Sequence, residues 1–487
     1  MKRSGDSAVS IRPAATLILL RDAAPGPELF MQRRAPGAAF LGGAYVFPGG
    51  ALDAADSDAR VLERIVGLTD AAASERLQLP AGALAYWVAA ARECFEEAGI
   101  LLAQDETGAA AAPGQIAAMA EHRDALNRGE LSFADLLARH RLVLPAREIL
   151  YFDHWITPPI RARRFDARFF VARAPRGQEG SHDNAEAVSS LWLRPAEALE
   201  RAARKEIEIA FATGVVLKEL ARFATVEEAL AHAHAKGPIE TNRPAVAQGR
   251  EGLQIFRRGD APYAEIRWSD PEETTQTTCD LVPGVAKRLD RFVTRLIAPN
   301  PGKMTGPGTN TYLVGDEQLA VIDPGPMIDA HVAAVVALGR GRIRWIVCTH
   351  THRDHSPAAR ALQSATGARV IGRPAPAGAS QDDGFAPEWL PRHDEPLRIA
   401  GLTLRALHTP GHASNHLCFL LEQTRMLFTG DHVMQGSTVI INPPDGDMRA
   451  YLRSLDALLA LDIAIIAPGH GYLIGAPHDE IRHGPER

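Results

Sequence analysis

Three imidazoles and one carboxylate fall within six residues at His350-Thr-His352-Arg-Asp354-His355. Neutral imidazole and carboxylate are the ligand types of a catalytic zinc site that keeps one position open for water. More residues of the same types follow, in Thr409-Pro-Gly-His412, Met426-Leu-Phe-Thr-Gly-Asp431 and Ile463-Ala-Ile-Ile-Ala-Pro-Gly-His470. Upstream, Gln318-Leu-Ala-Val-Ile-Asp323 also ends in a carboxylate. A different chemistry is written in Arg92-Glu93-Cys-Phe-Glu96-Glu97-Ala-Gly99. Glu93, Glu96 and Glu97 are spaced i, i+3, i+4 and so share one helical face. Like charges crowded this way destabilise a helix unless a cation neutralises them, and hard carboxylate oxygens favour Mg²⁺ or Mn²⁺ beside substrate phosphates.

Such residues need rigid elements to aim them. The apolar run Ile343-Arg-Trp-Ile-Val-Cys348 predicts a strand that ends where the histidine cluster begins. Alternation over Leu402-Thr-Leu-Arg-Ala-Leu407, and the short apolar runs before Asp431, His470 and Asp323, predict further strands ending at a candidate ligand. Loops at strand ends can converge on one edge of a layered fold. In the N-terminal half, Ala44-Tyr-Val-Phe-Pro-Gly-Gly50 supplies a glycine turn ahead of the acidic helix. Gly99 suits the helix's C-terminal turn, and Arg92 can anchor the helix or a carboxylate. Residues 196–235 show helical periodicity, with His232 and His234 two apart and expected on the solvent side. Leu253-Gln-Ile-Phe-Arg and Ala264-Glu-Ile-Arg-Trp alternate as the two arms of a small hairpin would.

The series of motifs from residue 286 to 487 resembles the metallo-β-lactamase superfamily. The resemblance implies an αββα sandwich and a pair of zinc ions. It assigns His350, His352 and His412 to one ion, Asp354, His355 and His470 to the second, and Asp431 to a bridging place between them. Asp323 would orient ligands from behind, and Asp354 would also be a catalytic group. His416 and His432 stand outside this set, as structural or substrate-facing neighbours. Two ions about 3.5–4 Å apart lower the pKa of a shared water and clamp attacking and leaving oxygens. The expected substrate is therefore a thioester, ester or phosphodiester. Asn300-Pro-Gly-Lys-Met-Thr-Gly-Pro-Gly-Thr-Asn-Thr-Tyr-Leu-Val314 and Phe428-Thr-Gly-Asp-His-Val-Met-Gln-Gly-Ser-Thr438 look like the β-lactamase-like endoribonuclease branch. Glyoxalase II relatives share the ligand set.

The acidic helix with its upstream glycine turn resembles the Nudix box, and the likeness extends over about residues 10 to 240. It implies an α/β/α sandwich around a mixed sheet, with Mg²⁺ or Mn²⁺ held by Glu93, Glu96 and Glu97. In the common box the glycine precedes the arginine by about 14 positions. Gly50 and Arg92 are 42 apart, so an insertion interrupts this box. Leu84 falls where the common box has its first glutamate, which is thus lost or displaced into the insertion. The interrupted box, His154-Trp-Ile-Thr-Pro158 and Arg163-Arg-Phe-Asp-Ala-Arg-Phe-Phe170 are similar to the branch that contains the peroxisomal coenzyme A diphosphatase. Arg163, Arg164 and Arg168 are candidates for holding an anionic substrate, or the marks of a half-exposed strand.

With 487 residues, the chain is long enough for two or three cores. The expected organisation is a Nudix domain over 1–240, a connector with a possible hairpin over 241–285, and a metallo-β-lactamase-fold domain over 286–487. A net charge of −6 argues against a general electrostatic nucleic-acid binder, although RNA stays possible as a substrate. The four cysteines, Cys94, Cys279, Cys348 and Cys418, have no paired spacing and fit buried free thiols of a reducing cytoplasm. Met1-Lys-Arg-Ser-Gly-Asp-Ser lacks an apolar stretch behind it, so no signal peptide and no membrane span are expected. The expectation is a bifunctional metallohydrolase. Its C-terminal site would cut a thioester, ester or phosphodiester; its Nudix site would cut a nucleoside-diphosphate derivative such as coenzyme A. The alternative is an RNA-processing endoribonuclease whose Nudix half only binds nucleotides or serves as a scaffold. Oligomeric state has no signal in the sequence.

Overall fold

In the computed structural model, residues 10–38, 40–183, 186–378 and 380–483 are described. The N-terminal segment judged for a signal peptide lies outside them. The chain divides into two compact units, Met1–Pro244 and Ala245–Arg487.

The first unit is built on a strand with apolar residues at nearly every position. In β1 (Ile11–Arg21), Leu17 and Leu19 face one side and Ile18 and Leu20 the other, all buried. Burial on both faces explains why this strand reads as a continuous apolar run. The sheet adds β2 (Glu28–Arg34), β3 (Gly49–Ala51), β4 (Leu150–Ile156), β5 (Arg164–Arg173) and β6 (Ala187–Leu193), in the order β6-β2-β1-β5-β4. β3 pairs beside β1, and Tyr45–Val46 pairs with β2. β1 and β5 run parallel, and the remaining pairs are antiparallel. One face packs on α1 (Leu84–Ala98) through Trp87, Phe95 and Phe170. The other is covered by α2 (Pro195–Ala203), α3 (Phe211–Leu220) and α4 (Val226–Ala235) through Leu217, Val226 and Val171. This is the three-layer α/β/α sandwich the sequence predicts.

The second unit opens with a hairpin, β7 (Ala245–Gly249) and β8 (Gly252–Phe256). One expected arm, Leu253-Gln-Ile-Phe, lies in β8 of this hairpin, but its partner is the preceding β7. Ala264–Trp268 belongs instead to a helix, α5 (Tyr263–Ser269). Its alternation is misleading because Glu265 is the wholly buried member, held by Arg295 and Lys287 rather than by water. Six strands follow as one sheet in sequence order: β9 (Lys287–Arg288), β10 (Val293–Ile297), β11 (Asn310–Gly315), β12 (Leu319–Ile322), β13 (Ile343–Val347) and β14 (Arg369–Ile371). A second sheet runs β15 (Glu395–Ile399), β16 (Leu402–His408), β17 (Leu417–Leu421), β18 (Met426–Gly430) and β19 (Ile465–Pro468). Tyr312, Ile322 and Val347 of the first sheet meet Leu404, Phe419 and Phe428 of the second in one core. Outside the first sheet lie α6 (Asp329–Gly339) and α7 (Ala358–Thr366), packed through Val335 and Leu362. Outside the second lies α8 (Met448–Leu459), packed through Tyr451 and Leu455. The layers are αββα. Among the described residues, no helix is long and apolar enough to cross a membrane. All four cysteines are free and buried.

Candidate metal centre and acidic helix

Seven side chains named from the sequence meet at one end of the αββα unit. His350, His352, Asp354 and His355 leave the end of β13, His412 follows β16, Asp431 follows β18, and His470 follows β19. They form two groups of possible ion ligands, His350–His352–His412 and Asp354–His355–Asp431–His470, with ligand atoms inside each group within 4.8 Å of one another. In the first group, His352 Nδ1 lies 3.0 Å from His350 Nε2 and 2.9 Å from His412 Nε2. In the second, Asp431 Oδ1 lies 3.4 Å from His355 Nε2 and 3.3 Å from His470 Nε2. Asp354 Oδ2 is 3.3 Å from His355 Nε2 and 3.2 Å from His470 Nε2. Asp431 Oδ2 reaches toward the first group, 3.8 Å from His412 Nε2.

The outer faces of these rings fix which nitrogen points inward. Asp323 accepts from Thr349 N at 2.8 Å, from Thr349 Oγ1 at 2.8 Å and from His355 Nδ1 at 2.9 Å. Thr349 Oγ1 has given its proton to Asp323, so it must accept from His350 Nδ1, 3.0 Å away. His412 Nδ1 donates to Ile440 O at 2.6 Å and His470 Nδ1 to Gly308 O at 3.2 Å. When neutral, each of these four imidazoles keeps its proton on Nδ1 and turns an Nε2 lone pair toward the cluster, the form a metal ligand requires. His355 Nε2 and Asp431 Oδ1 are buried without a well-formed hydrogen bond. A converging set of lone pairs with orphaned buried members fits a pair of divalent cations.

Without a cation, the group resolves its charge with protons. Burial disfavours charge on His470, but Asp431 and Asp354 outweigh it and push the imidazole up to about 9. Burial would raise the Asp354 carboxyl, yet His355 and His470 hold it well below the usual carboxylate range. Burial and the neighbouring His412 push His352 down to about 4. His352 and Asp354 are half-buried while His350 and His355 are buried, so the cluster opens to solvent on the His352–Asp354 side. Gly469 explains the glycine of the last motif: a Cβ there would stand 2.6 Å from Asp431 Oδ1. His416 and His432 are fully buried behind His350, with ring centroids 5.0 Å (His350–His416) and 5.4 Å (His416–His432) apart.

In the first unit, Glu93, Glu96 and Glu97 do lie on one face of α1, but their carboxylates separate. Glu97 accepts from Gln32 Nε2 at 2.5 Å and from Gly49 N at 2.8 Å. Glu96 accepts from Arg92 Nη1 at 2.6 Å. Glu93 rests against Gly50, where a Cβ would come within 2.5 Å of Glu93 Oε1. The three are not among the described groups whose donor atoms all lie within one ion's reach. Burial first, then mutual repulsion, raises Glu97 well above its ordinary value and Glu93 to about 7. Removing that repulsion is what a cation would do here.

Asp56, in the insertion, is the residue sequence reasoning missed. It is buried and grips Arg92 with both oxygens, 2.8 Å to Nε and 2.9 Å to Nη2. Leu84, at the expected glutamate position, is packed in the core. Asp56 sits in the short 3-10 helix Ala54–Ser57, whose cap is the Asp53 side chain. The Asp-x-x-Asp capping spacing was the only sequence signal for it. Asp56→Asn is expected to free Arg92 to neutralise Glu93 and Glu96 more fully. Mn²⁺ affinity, read from free Mn²⁺ in electron paramagnetic resonance titrations, should then fall about tenfold. The arginine run does not form one basic face. Arg168 is buried, ion-paired with Asp166, with its guanidinium 4.8 Å over Tyr86. Arg163 is exposed, and Arg164 donates to Thr157 O at 2.9 Å. His232 is half-buried against Glu219 rather than solvent-facing, while His234 is exposed.

Residues 304–470 match the metallo-beta-lactamase superfamily, and residues 11–214 match the NUDT19 Nudix domain. The chain is 31% identical over 229 residues to the lactamase-like protein aptB of Emericella nidulans, a match covering 45% of this chain and 69% of that protein. It is 35% identical over 215 residues to an atrochrysone carboxyl ACP thioesterase of Aspergillus chevalieri, covering 42% of this chain and 65% of that one. Among solved structures, a Nudix hydrolase from Alicyclobacillus acidocaldarius is 29% identical, with a TM-score of 0.38, over 46% of this chain and 97% of that chain.

Proposed function

Because the chain belongs to the metallo-β-lactamase superfamily through its C-terminal half and carries a NUDT19-type Nudix domain in its N-terminal half, we propose that it hydrolyses the thioester of an acyl carrier at the first site and a diphosphate at the second. The observation that carries the first assignment is Asp431, whose two oxygens face both groups of candidate ligands. A relative named as an acyl carrier thioesterase supports thioester over phosphodiester. His350, His352 and His412 would hold one Zn²⁺, and Asp354, His355 and His470 the other, with Asp431 between them. Such ions supply a water acidic enough to attack at neutral pH and an electrophile for the carbonyl.

The chain's own groups do the rest. The open His352–Asp354 side admits the substrate carbonyl. Asp354, which accepts from Thr309 Oγ1 at 3.3 Å, would take the proton of the attacking water. That proton goes to the departing thiolate as the carbon–sulfur bond breaks and the carbon–oxygen bond forms, leaving a carboxylic acid and a thiol. Asp323 keeps His355 and His350 aimed throughout.

At the second site Glu93, Glu96 and Glu97 would hold Mg²⁺ or Mn²⁺ beside a diphosphate such as that of coenzyme A. Both sites would then draw on one pool of acyl-CoA, one releasing the acyl group and the other splitting the carrier. We place the enzyme in the cytoplasm. A panel of acyl-CoA, coenzyme A, nucleotide sugars, lactoylglutathione and single-stranded RNA, run with Zn²⁺ and with Mg²⁺, tests this reading. Acyl-CoA should be deacylated with Zn²⁺, and coenzyme A cleaved with Mg²⁺. Dialysis against a chelator should abolish both activities, each returning with its own metal. RNA cleavage with intact thioesters would overturn the reading in favour of an endoribonuclease.

A further inference from the structure

We infer that His331, outside the candidate ligand set, is a positioning residue for the metal centre, holding Asp323 in place through Thr311. The inference rests on reading the histidine–aspartate cluster as a metal centre.

Asp323 is the residue that sets the rings of His355 and His350, and its backbone is strained. Its φ is 49°, in the left-handed region that a non-glycine residue seldom occupies. That rotation aims the carboxylate at Thr349 and His355 together. Such a conformation persists only where its surroundings over-determine it. The amide side is fixed by a bond from Asp323 N to Val347 O at 2.8 Å. The carbonyl side is fixed by Thr311 Oγ1, which donates to Asp323 O at 2.8 Å.

Thr311 is in turn held by His331. The hydroxyl has a single proton, already given to Asp323, so it accepts from His331 Nε2–H at 2.9 Å. Burial pushes His331 down to about 4, so the ring is neutral at physiological pH and carries its one proton on Nε2. The Pro324-Gly325 turn lies against this ring: a Cβ added at Gly325 would stand 3.1 Å from Nε2. Gly325 N donates to His355 O at 2.9 Å, so the same turn also fixes the backbone of His355.

A purely structural role accounts poorly for the ring. His331 is 2% exposed and its Nδ1 has no partner, a buried acceptor that an apolar side chain of similar size would not leave. What a phenylalanine lacks is the Nε2–H toward Thr311.

The test compares wild type, His331→Phe and His331→Gln by Co²⁺ titration, following the visible ligand-field spectrum and competition with a chelator. His331→Phe should fold with an unchanged or higher melting temperature. It should bind Co²⁺ about tenfold more weakly, with a shifted spectrum. His331→Gln, whose amide can still donate to Thr311, should recover most of both. If His331→Phe binds Co²⁺ like wild type with the same spectrum, the inference is overturned. The same holds if Phe and Gln lose affinity equally, since packing would then be the cause. If wild type itself takes up no Co²⁺, the metal-centre reading fails first.

Discussion

Asp431→Asn should cut thioester turnover by about a thousandfold or more while leaving the protein folded, because it removes the one charge placed between both candidate ion sites. The carboxylate sits 3.3–3.4 Å from His470 and His355 through one oxygen and 3.8 Å from His412 through the other. Asparagine keeps the size and one oxygen, so packing against Gly469 survives. The second oxygen becomes an amide, which cannot ligate a cation and would point N–H groups at it. Release of free thiol from acyl-CoA gives the rate, metal analysis of the same preparation gives the stoichiometry, and circular dichroism checks the fold. A loss of several kcal/mol in transition-state stabilisation corresponds to the stated factor. Turnover within tenfold of wild type would mean that the two ligand groups do not act as one centre.

Glu265→Gln should destabilise the second unit by about 3–5 kcal/mol, the usual penalty for leaving buried charges without their partner. Glu265 is wholly buried, 2.6 Å from Arg295 Nη1 and 2.8 Å from Lys287 Nζ. Its carboxylate also accepts from Leu473 N at 3.1 Å, and Arg295 reaches Gly471 O at 3.3 Å. α5, β9, β10 and the loop after His470 therefore share one ionic knot. Burial opposes ionisation of Glu265, but Arg295 and Lys287 outweigh it and hold the carboxyl at about 2, against an ordinary 4.5. A folded-state pKa below the unfolded one means stability that is complete above pH 4.5 and drains away as pH falls toward 2. Wild type should show that acid limb in denaturant titrations at successive pH values, and the variant should show a flatter one. Hydrogen exchange should place the loss in residues 263–297. An unchanged exchange pattern there would contradict the assignment.

Most of the second unit was legible because its chemistry coincides with its strand ends. Each candidate ligand follows an apolar run short enough to be a strand, and the order of motifs carried the fold with it. Asp323 was equally visible as a carboxylate after a strand, whereas its left-handed backbone was not, since nothing in Val-Ile-Asp-Pro-Gly announces it. In the first unit the acidic helix was plain from its spacing. The positions of its carboxylates were not, because Gln32, Gly49 and Asp56 come from elements remote in sequence. The hairpin arm misplaced onto Ala264–Trp268 has the same origin. A buried glutamate reads as an exposed one until the basic residues that meet it, 22 and 30 positions on, are in place. Local pattern reports which face is apolar, and it is silent where a tertiary ion pair replaces water.

The candidate ligands of the second unit come from the ends of strands in two different sheets, with His350 and His470 120 positions apart in the chain. A cation held by both groups would act on folding as a reversible cross-link, closing a long loop that the unfolded chain leaves open. By mass action, free metal at a hundred times its dissociation constant would add about 2.7 kcal/mol to the folded state. That is enough to shift the unfolded fraction, and with it the rate of proteolytic turnover, by about a hundredfold. Metal supply would then set how much of this protein a cell keeps, quite apart from how fast each copy works.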